Sequence, residues 1–288
     1  MDFLQPASLA EALELRASYP AALAIQGGTD VMVELNFDKH RPPALLDLSF
    51  VDDFANVTPV VAPDAGTDRG RWLRIGAGVT WTTIIEQHAS DLTGLAIAAR
   101  TVGSPQIRNR ATLAGSIASG SPAGDGLPML VASGSRIEVE SAARGQRLID
   151  AADWLERPRK TAAEADELIT AIHSPVTEPG AISQQFAKIG TRNAMVIAVA
   201  SLGLHVDRQL ETVGTGIGSA GPTVIAATAA EQYLELHLTE SGQWEAPAAL
   251  DAAVVARFGE LVASAARPID DVRGTAAYRT HAVGVMAR

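Results

Sequence analysis

Apolar spacing along the N-terminal stretch switches repeatedly between a helical and an extended period. Ser8, Leu9, Ala10 and Glu11 fit a capping box, with a hydroxyl at the N-cap and a carboxylate three residues on. Leu9 and Leu13 then share one helical face, and Pro20 ends the helix. Ala21 to Gln26 is an apolar run of strand length, followed at once by Gly27 and Gly28, and Asp30 stands where it can cap another short helix. Pro42-Pro43 marks a turn, and Ala44 to Leu48 reads as a second strand. Helix and strand in such quick alternation predict an α/β unit.

Val57 to Gly70, rich in Pro, Asp and Gly, reads as a surface loop. Trp72 to Val79 predicts a strand, Thr80 caps a helix through Gln87, and Leu92 to Thr101 predicts another helix. From Gly103 to Gly126 the periodicity fails. That stretch is dense in small and polar residues, yet Ile107, Leu113 and Ile117 recur in it, so it is expected to be ordered and functional. Arg136 to Glu140 predicts a strand, Leu148 to Leu155 a helix, and Glu167 to Ile172 a strand ending near Pro175.

Two prolines and a glycine between Ser174 and Gly180 place a domain boundary there. The expected domains are 1–176, in two α/β parts at about 1–56 and 57–176, and 177–288. Beyond the boundary, strands are expected at Ser183–Ile189, Ala198–Val206 and Glu211–Gly218, then helices at Thr223–Leu236, Pro247–Ala265 and Gly274–Met286. Strands first and helices afterwards predict an α+β domain with one antiparallel sheet.

Composition removes whole classes of function. The net charge is −10 and the basic residues are scattered, which speaks against nucleic acid as a partner. There is no cysteine, so disulfides, thiolate catalysis and thiolate-held iron–sulfur clusters are excluded, and any redox chemistry here needs an organic cofactor. Met1 to Ala10 has no basic or long apolar stretch and reads as the start of the fold, and no apolar run has the length of a membrane span. A cytoplasmic protein is expected. The six histidines show no HExxH spacing or close pairing, so no metal site is expected, and neither a GxSxG elbow nor a GxxxxGK[ST] loop is present.

Two constellations carry candidate chemistry. In Ile25-Gln26-Gly27-Gly28-Thr29-Asp30, paired glycines directly after a strand allow a tight turn whose successive amides form an anion-binding nest; the bland reading is an ordinary strand-to-helix turn. The second runs from Gly103-Ser104-Pro105-Gln106-Ile107-Arg108-Asn109 through Ala111-Thr112-Leu113-Ala114-Gly115-Ser116 to Ser121-Pro122-Ala123-Gly124-Asp125. Its small residues permit close approach to a flat or extended ligand, Thr112 and Ser116 can donate hydroxyl bonds, and Asp125 can accept one. Gly216-Ile217-Gly218-Ser219-Ala220-Gly221 matches G-x-G-x-x-G, but Pro222 and a helical stretch follow it where a dinucleotide site needs a strand ending in an acid. It reads as the end of a strand.

Together these stretches resemble the FAD-binding medium subunits of the molybdenum hydroxylases, the family of the aerobic carbon monoxide dehydrogenase medium chain and the xanthine dehydrogenase flavin domain. The resemblance spans the chain through Phe3-Leu4-Gln5-Pro6, Gln26 to Asp30, Gln106 to Asp125, Phe186-Ala187-Lys188, and Arg273-Gly274 with Tyr278-Arg279. It implies a two-part α/β FAD-binding domain of the vanillyl-alcohol-oxidase type and a smaller C-terminal domain with an antiparallel sheet and helices, α+β overall. It implies a diphosphate loop at Ile25, Gln26, Gly27, Gly28, Thr29, Asp30 and Val31, and a second flavin loop at Ala111, Thr112, Ala114, Gly115 and Ser116. Asp125 is implied to meet a flavin-chain hydroxyl; Val102, Ile169 and Lys188 fall at contacts around the ring, with Gly103 beside Val102. The family's second loop often reads Thr-x-Gly-Gly-Asn; here Ala114 carries a Cβ that resists positive φ.

What the resemblance implies for function is electron relay. FAD, held non-covalently, takes electrons from an iron–sulfur subunit and hands them to an acceptor, while molybdopterin and 2Fe–2S clusters reside only in partner subunits. No residue is assigned acid–base catalysis. The alternatives are a stand-alone FAD-dependent oxidase of the same fold, and a non-enzymatic module using the glycine turns for another phosphate ligand.

Overall fold

The computed structural model of the chain describes residues 1–39, 41–62 and 70–288. Its N-terminal unit is built from β1 (Asp2–Leu4), α1 (Leu9–Ser18), β2 (Leu23–Ile25), α2 (Val31–Asn36) and β3 (Ala44–Asp47). The strands are parallel in the order β1-β3-β2, so each connection needs a crossover, and α1 and α2 supply them. Ser8 caps α1, its Oγ accepting from the Glu11 amide at 3.2 Å, while the Glu11 carboxylate reaches one residue beyond the box's usual donor and accepts from the Ala7 amide at 2.8 Å. Asp30 stands at the N-cap of α2 but its side chain makes no capping bond.

A short 3-10 turn, Asp52–Ala55, leads into a second unit. It comprises β4 (Val57–Val60), β5 (Trp72–Gly76), α3 (Trp81–Gln87), α4 (Thr93–Thr101), α5 (Pro105–Arg108), α6 (Leu113–Ala118), α7 (Gly126–Ala132), β6 (Arg136–Ser141), β7 (Gly145–Asp150), β8 (Leu155–Arg157), β9 (Lys160–Thr161) and β10 (Leu168–Pro175). Five of these strands form an antiparallel sheet in the order β4-β5-β10-β6-β7, and β8 and β9 make a small hairpin.

Several sequence expectations change here. Val57–Val60 is a strand paired with β5, not loop, while residues 63–69 of that expected loop lie outside the described residues. Leu148–Leu155 is not a helix. Its first residues belong to edge strand β7, which a turn ending at Gly145 (φ +69°) folds back on β6. Leu148, Ala151 and Leu155 match helical spacing by chance, whereas the exposed run Gly145 to Leu148 before buried Ile149 belongs to an edge strand open on both faces along most of its length. The aperiodic stretch 103–126 contains α5 and α6, each too short to display a period; Ser104 and Thr112 cap them. Helix α7 was unreadable as amphipathic because all seven of its residues are buried.

The C-terminal unit has antiparallel strands β11 (Ile182–Ile189), β12 (Ala200–Asp207) and β13 (Thr212–Gly218) in chain order, then α8 (Thr228–Glu240), α9 (Ala252–Ala265) and α10 (Ala276–Ala287). Leu202, Ile217, Leu234, Phe258, Val262 and Val283 form its core between sheet and helices. The other face of the sheet receives α7. A Cβ at Gly203, Gly214 or Gly216 would lie 2.7, 1.9 or 2.0 Å from the carbonyl oxygens of Pro128, Ala132 and Pro128 respectively. The apparent nucleotide fingerprint is thus a strand end: Gly214 and Gly216 face α7, and Ile217 between the glycines of the motif enters the core.

One buried ion cluster ties the five-stranded sheet together. Glu138 on β6 accepts from Arg74 (Nη2, 2.6 Å; Nε, 3.1 Å) and Thr170 (2.5 Å), and pairs with His173 Nε2 at 2.7 Å. Burial pushes the Glu138 carboxyl up, but the hydrogen bonds from His173, Arg74 and Thr170 and the charge of Arg74 outweigh it and bring it down to about 2. A folded pKa below the unfolded value of about 4.3 contributes stability that is present above that value and lost as pH falls towards about 2. Glu138→Gln leaves Arg74 and His173 facing an amide. It is expected to lower the unfolding free energy at pH 7 by roughly 3 kcal/mol, and to flatten the loss of stability between pH 4.5 and pH 2. Urea titrations across that pH range check both effects.

Candidate functional site

Strand β2 ends at Ile25, and the chain turns through Gly27 and Gly28, with Gly28 at φ +75°. Gly28 and Asp30 carbonyls accept from the Met32 and Glu34 amides. Among the described residues, nothing accepts from the backbone N–H groups of residues 27–31. Five successive amides between a strand and a helix are thus left without a partner, and free main-chain donors at such a turn are the groups that anion sites use. Thr29 and Val31 are half-buried and Asp30 is exposed.

Gly27 has a second duty. A Cβ there would lie 2.0 Å from the Arg110 carbonyl oxygen, so the absence of a side chain lets the turn touch the stretch that leads into α6. That stretch is held from the other side: the Trp81 amide donates to Ala111 O at 3.0 Å and the Leu113 amide to Val79 O at 3.3 Å. A cleft of about 190 Å³ opens between the two loops, lined by Gln26, Gly27, Ser49, Gly78, Asn109 and Thr112 among others. Gln26 Oε1 is buried beside it without a partner.

The hydroxyls expected to serve a ligand are used internally. Thr112 Oγ1 accepts from the Gly115 amide at 2.9 Å as the cap of α6, and Ser116 Oγ accepts from the Trp81 indole N–H at 3.0 Å and donates to Thr112 O at 2.9 Å. Ala114 is buried within helical α6 and has no positive φ, so its Cβ carries no conformational cost. Gly103 does need its freedom, at φ +45°, and Val102 and Gly103 both present carbonyls to Arg108 Nη1.

Asp125 lies at the head of α7 and is 8% exposed. Its Oδ2 accepts from Lys188 Nζ at 2.6 Å and Thr101 Oγ1 at 3.1 Å, while Oδ1 is buried and unpartnered. Burial pushes its carboxyl up from the ordinary range, against the opposing charge of Lys188 and the hydrogen bonds from Lys188 and Thr101. Lys188 comes from β11 and lines a second cleft, of about 700 Å³, with Gly103, Arg100, Arg108, Arg192 and Met195.

The structure therefore brings Gln26, Gly27 and Thr112 to one cleft, Gly103 and Lys188 to another, and joins Asp125 to Lys188. Val102 and Ile169 line neither; both are partly buried against the main core. Thr101 and Arg192 escape a reading of the sequence, since one contributes through a contact with a residue 24 positions away and the other lies in an irregular connection after β11.

Residues 1–177 match the family described as "FAD binding domain in molybdopterin dehydrogenase", and residues 185–288 match the "CO dehydrogenase flavoprotein C-terminal domain". The chain is 28% identical to the xanthine dehydrogenase FAD-binding subunit of Escherichia coli, over 98% of this chain and 91% of that one. It is 29% identical to the carbon monoxide dehydrogenase medium chain of Afipia carboxidovorans, over 100% and 94% of the two chains. Among solved structures, reconstituted CO dehydrogenase from Oligotropha carboxidovorans superposes with a TM-score of 0.86 at 25% identity, covering 100% of this chain and 95% of that one. These matches bear out the resemblance seen in the sequence and its division into an FAD-binding domain and a smaller C-terminal domain.

The two glycines of the turn are expected to fail for different reasons. Gly27→Ala drives a methyl into the Arg110 carbonyl and separates the loops, at a cost of about 1–3 kcal/mol. Gly28→Ala has room but must adopt positive φ, at about 1 kcal/mol. Chemical denaturation of the two variants measures this, and a Gly27→Ala chain as stable as the parent contradicts the loop contact.

Proposed function

The chain belongs to the family of FAD-binding domains of molybdopterin dehydrogenases, and on that premise we propose that it holds FAD non-covalently and serves as the electron-transferring flavin subunit of a heteromeric molybdenum hydroxylase. The observation that carries this reading is the run of unpaired amides at residues 27–31, the donor set a diphosphate needs. The free, buried Oδ1 of Asp125 supports it as an acceptor for a cofactor hydroxyl.

In this reading Ile25 to Val31 hold the diphosphate, Ala111 to Ser116 form the second flavin loop, Asp125 holds a hydroxyl of the flavin chain, and Val102, Gly103, Ile169 and Lys188 surround the ring. Thr112 and Ser116 act by setting the loop backbone, because their hydroxyls are already bonded within the protein. Bound FAD supplies the capacity to take up electrons and hand them on. The chain's residues bind and orient it, and none is assigned a proton transfer. The cofactor-binding domain ends at about residue 176, with its two parts meeting near residue 56.

The chain has no cysteine, the usual ligand of iron–sulfur clusters. In the proposed complex those clusters and the molybdopterin belong to partner subunits, electrons arrive across an interface, and the assembly works in the cytoplasm. Among the described residues no helix is long and apolar enough to cross a membrane.

Purified protein is expected to carry FAD at about one per chain and to release it on acid or heat denaturation; flavin that stays with the precipitated chain overturns the non-covalent reading. Asp125→Ala is expected to weaken FAD binding by roughly ten- to a hundredfold, whereas Asp153→Ala, at an exposed turn, leaves it unchanged. Equal affinities for the two variants remove Asp125 from the site. The lone chain with FAD is expected to be reducible yet unable to hydroxylate a substrate. Full turnover by the lone chain contradicts the relay role and favours a stand-alone oxidase.

A further inference from the structure

We propose that the ion pair between Arg159 and Glu34 is a latch on the cofactor site: closed, it holds α2 against the β8–β9 hairpin, and its opening admits and releases FAD. This rests on the FAD reading above and adds to it a route for cofactor exchange.

The two candidate loops are tied to each other at both ends. At one end the Gly27 backbone lies against the Arg110 carbonyl, an approach that any Cβ would forbid. At the other, Arg159 Nη1 donates to Glu34 Oε1 at 2.9 Å, across 125 positions of the chain. Glu34 lies in α2, just beyond the unpartnered amides of residues 27–31. Arg159 lies beside the end of α6, where its amide donates to Gly120 O at 2.7 Å. The span from Gly27 to Glu34 and the span from Arg110 to Gly120 therefore close into a ring, and the proposed diphosphate donors belong to it.

The two ties differ in how readily they part. The Gly27 tie is backbone against backbone, in a stretch pinned by bonds from the Trp81 and Leu113 amides. The Arg159 tie is a single ion pair whose side chains are 74% and 32% exposed. Water and salt compete for such a pair, so it slows an opening by no more than about fivefold.

One partner of the pair is fixed and the other is loose. The hairpin is the fixed post: Trp154 at its base is buried and its indole N–H donates to Ile117 O at 3.0 Å. Gly120 has φ +63°, and a Cβ on it would lie 3.0 Å from the Arg159 backbone, so α6 and the hairpin are in close contact. Helix α2 is the loose part. None of its residues is buried, and Met32 and Val33 are half-exposed. Among the described residues, the Glu34 carboxylate makes the one side-chain polar contact from α2 to the second unit. A helix with so little buried surface opens locally at low cost. Exchange is thereby directed to the Arg159 end of the ring.

The test follows FAD uptake by the cofactor-free full chain as quenching of flavin fluorescence, and release as its recovery on dilution. R159Q and E34Q are expected to raise both rates, up to about fivefold, with Kd unchanged. The charge-exchanged variant E34R/R159E, which can re-form the pair, is expected to return both rates towards the parent's. The chain has no cysteine of its own, so E34C/R159C can be joined selectively by a short bis-maleimide. Joined while empty, it is expected to lose FAD uptake; joined after loading, it is expected to lose FAD release. Parent rates in R159Q and E34Q, or faster release with uptake unchanged, overturn the latch while leaving FAD binding intact, as does free exchange in the joined variant. A parent chain that binds no FAD overturns the cofactor assignment and this inference with it.

Discussion

The backbone of α7 lies against a sheet face where glycines of β12 and β13 leave it bare. Gly203, Gly214 and Gly216 let the Pro128 and Ala132 carbonyls approach to distances that any Cβ would forbid. Because Asp125 is the residue at the head of α7 and Lys188 lies on β11 of the same sheet, this close seating determines where the two charges meet. A side chain on those strands would lift the helix, and a buried ion pair tolerates little displacement before both groups are left with the cost of lost hydration. The site's electrostatics therefore depend on a packing contact made of glycines.

A second close approach organises the other end. Gly27 admits the Arg110 carbonyl, and through it the turn after β2 is registered against the stretch that enters α6. That stretch is pinned by main-chain bonds from Trp81 and Leu113 and by the Trp81 indole on Ser116. Hydroxyls that look available in the sequence are consumed in building this frame, and the donors left over for a ligand are backbone amides. The chemistry offered by the loops is thus that of the main chain, held in place by side chains.

The charge balance follows the same division. The chain as a whole carries −10, yet its larger cleft is lined by Arg100, Arg108, Arg192 and Lys188. Of the buried acids, Glu138 is saturated by partners and its carboxyl is driven down to about 2, while Asp125 is half-satisfied and pushed up by burial. The first arrangement stabilises a sheet. The second leaves one carboxylate oxygen without a partner, and the difference lies in how many donors surround each carboxylate rather than in how deeply it is buried.

The sequence by itself determined what local rules can decide. The Ser8 cap, the glycine turn after β2, the α/β opening unit, the antiparallel C-terminal sheet, the family and the absence of cysteine all follow from adjacent residues or from composition. It misjudged elements whose state is set by neighbours in space. Leu148 to Leu155 has helical spacing but is drawn into an edge strand by β6, and α7 has no polar face because it is enclosed on every side. The letters of Gly216 to Gly221 match a nucleotide fingerprint, and only the sheet shows that Gly216 serves helix packing. The pairing of Asp125 with Lys188, the third contact from Thr101 and the unfilled oxygen were decided by tertiary structure alone. A charge pair across 63 positions leaves no periodic trace in the chain, because its geometry comes from how one helix sits on a distant sheet.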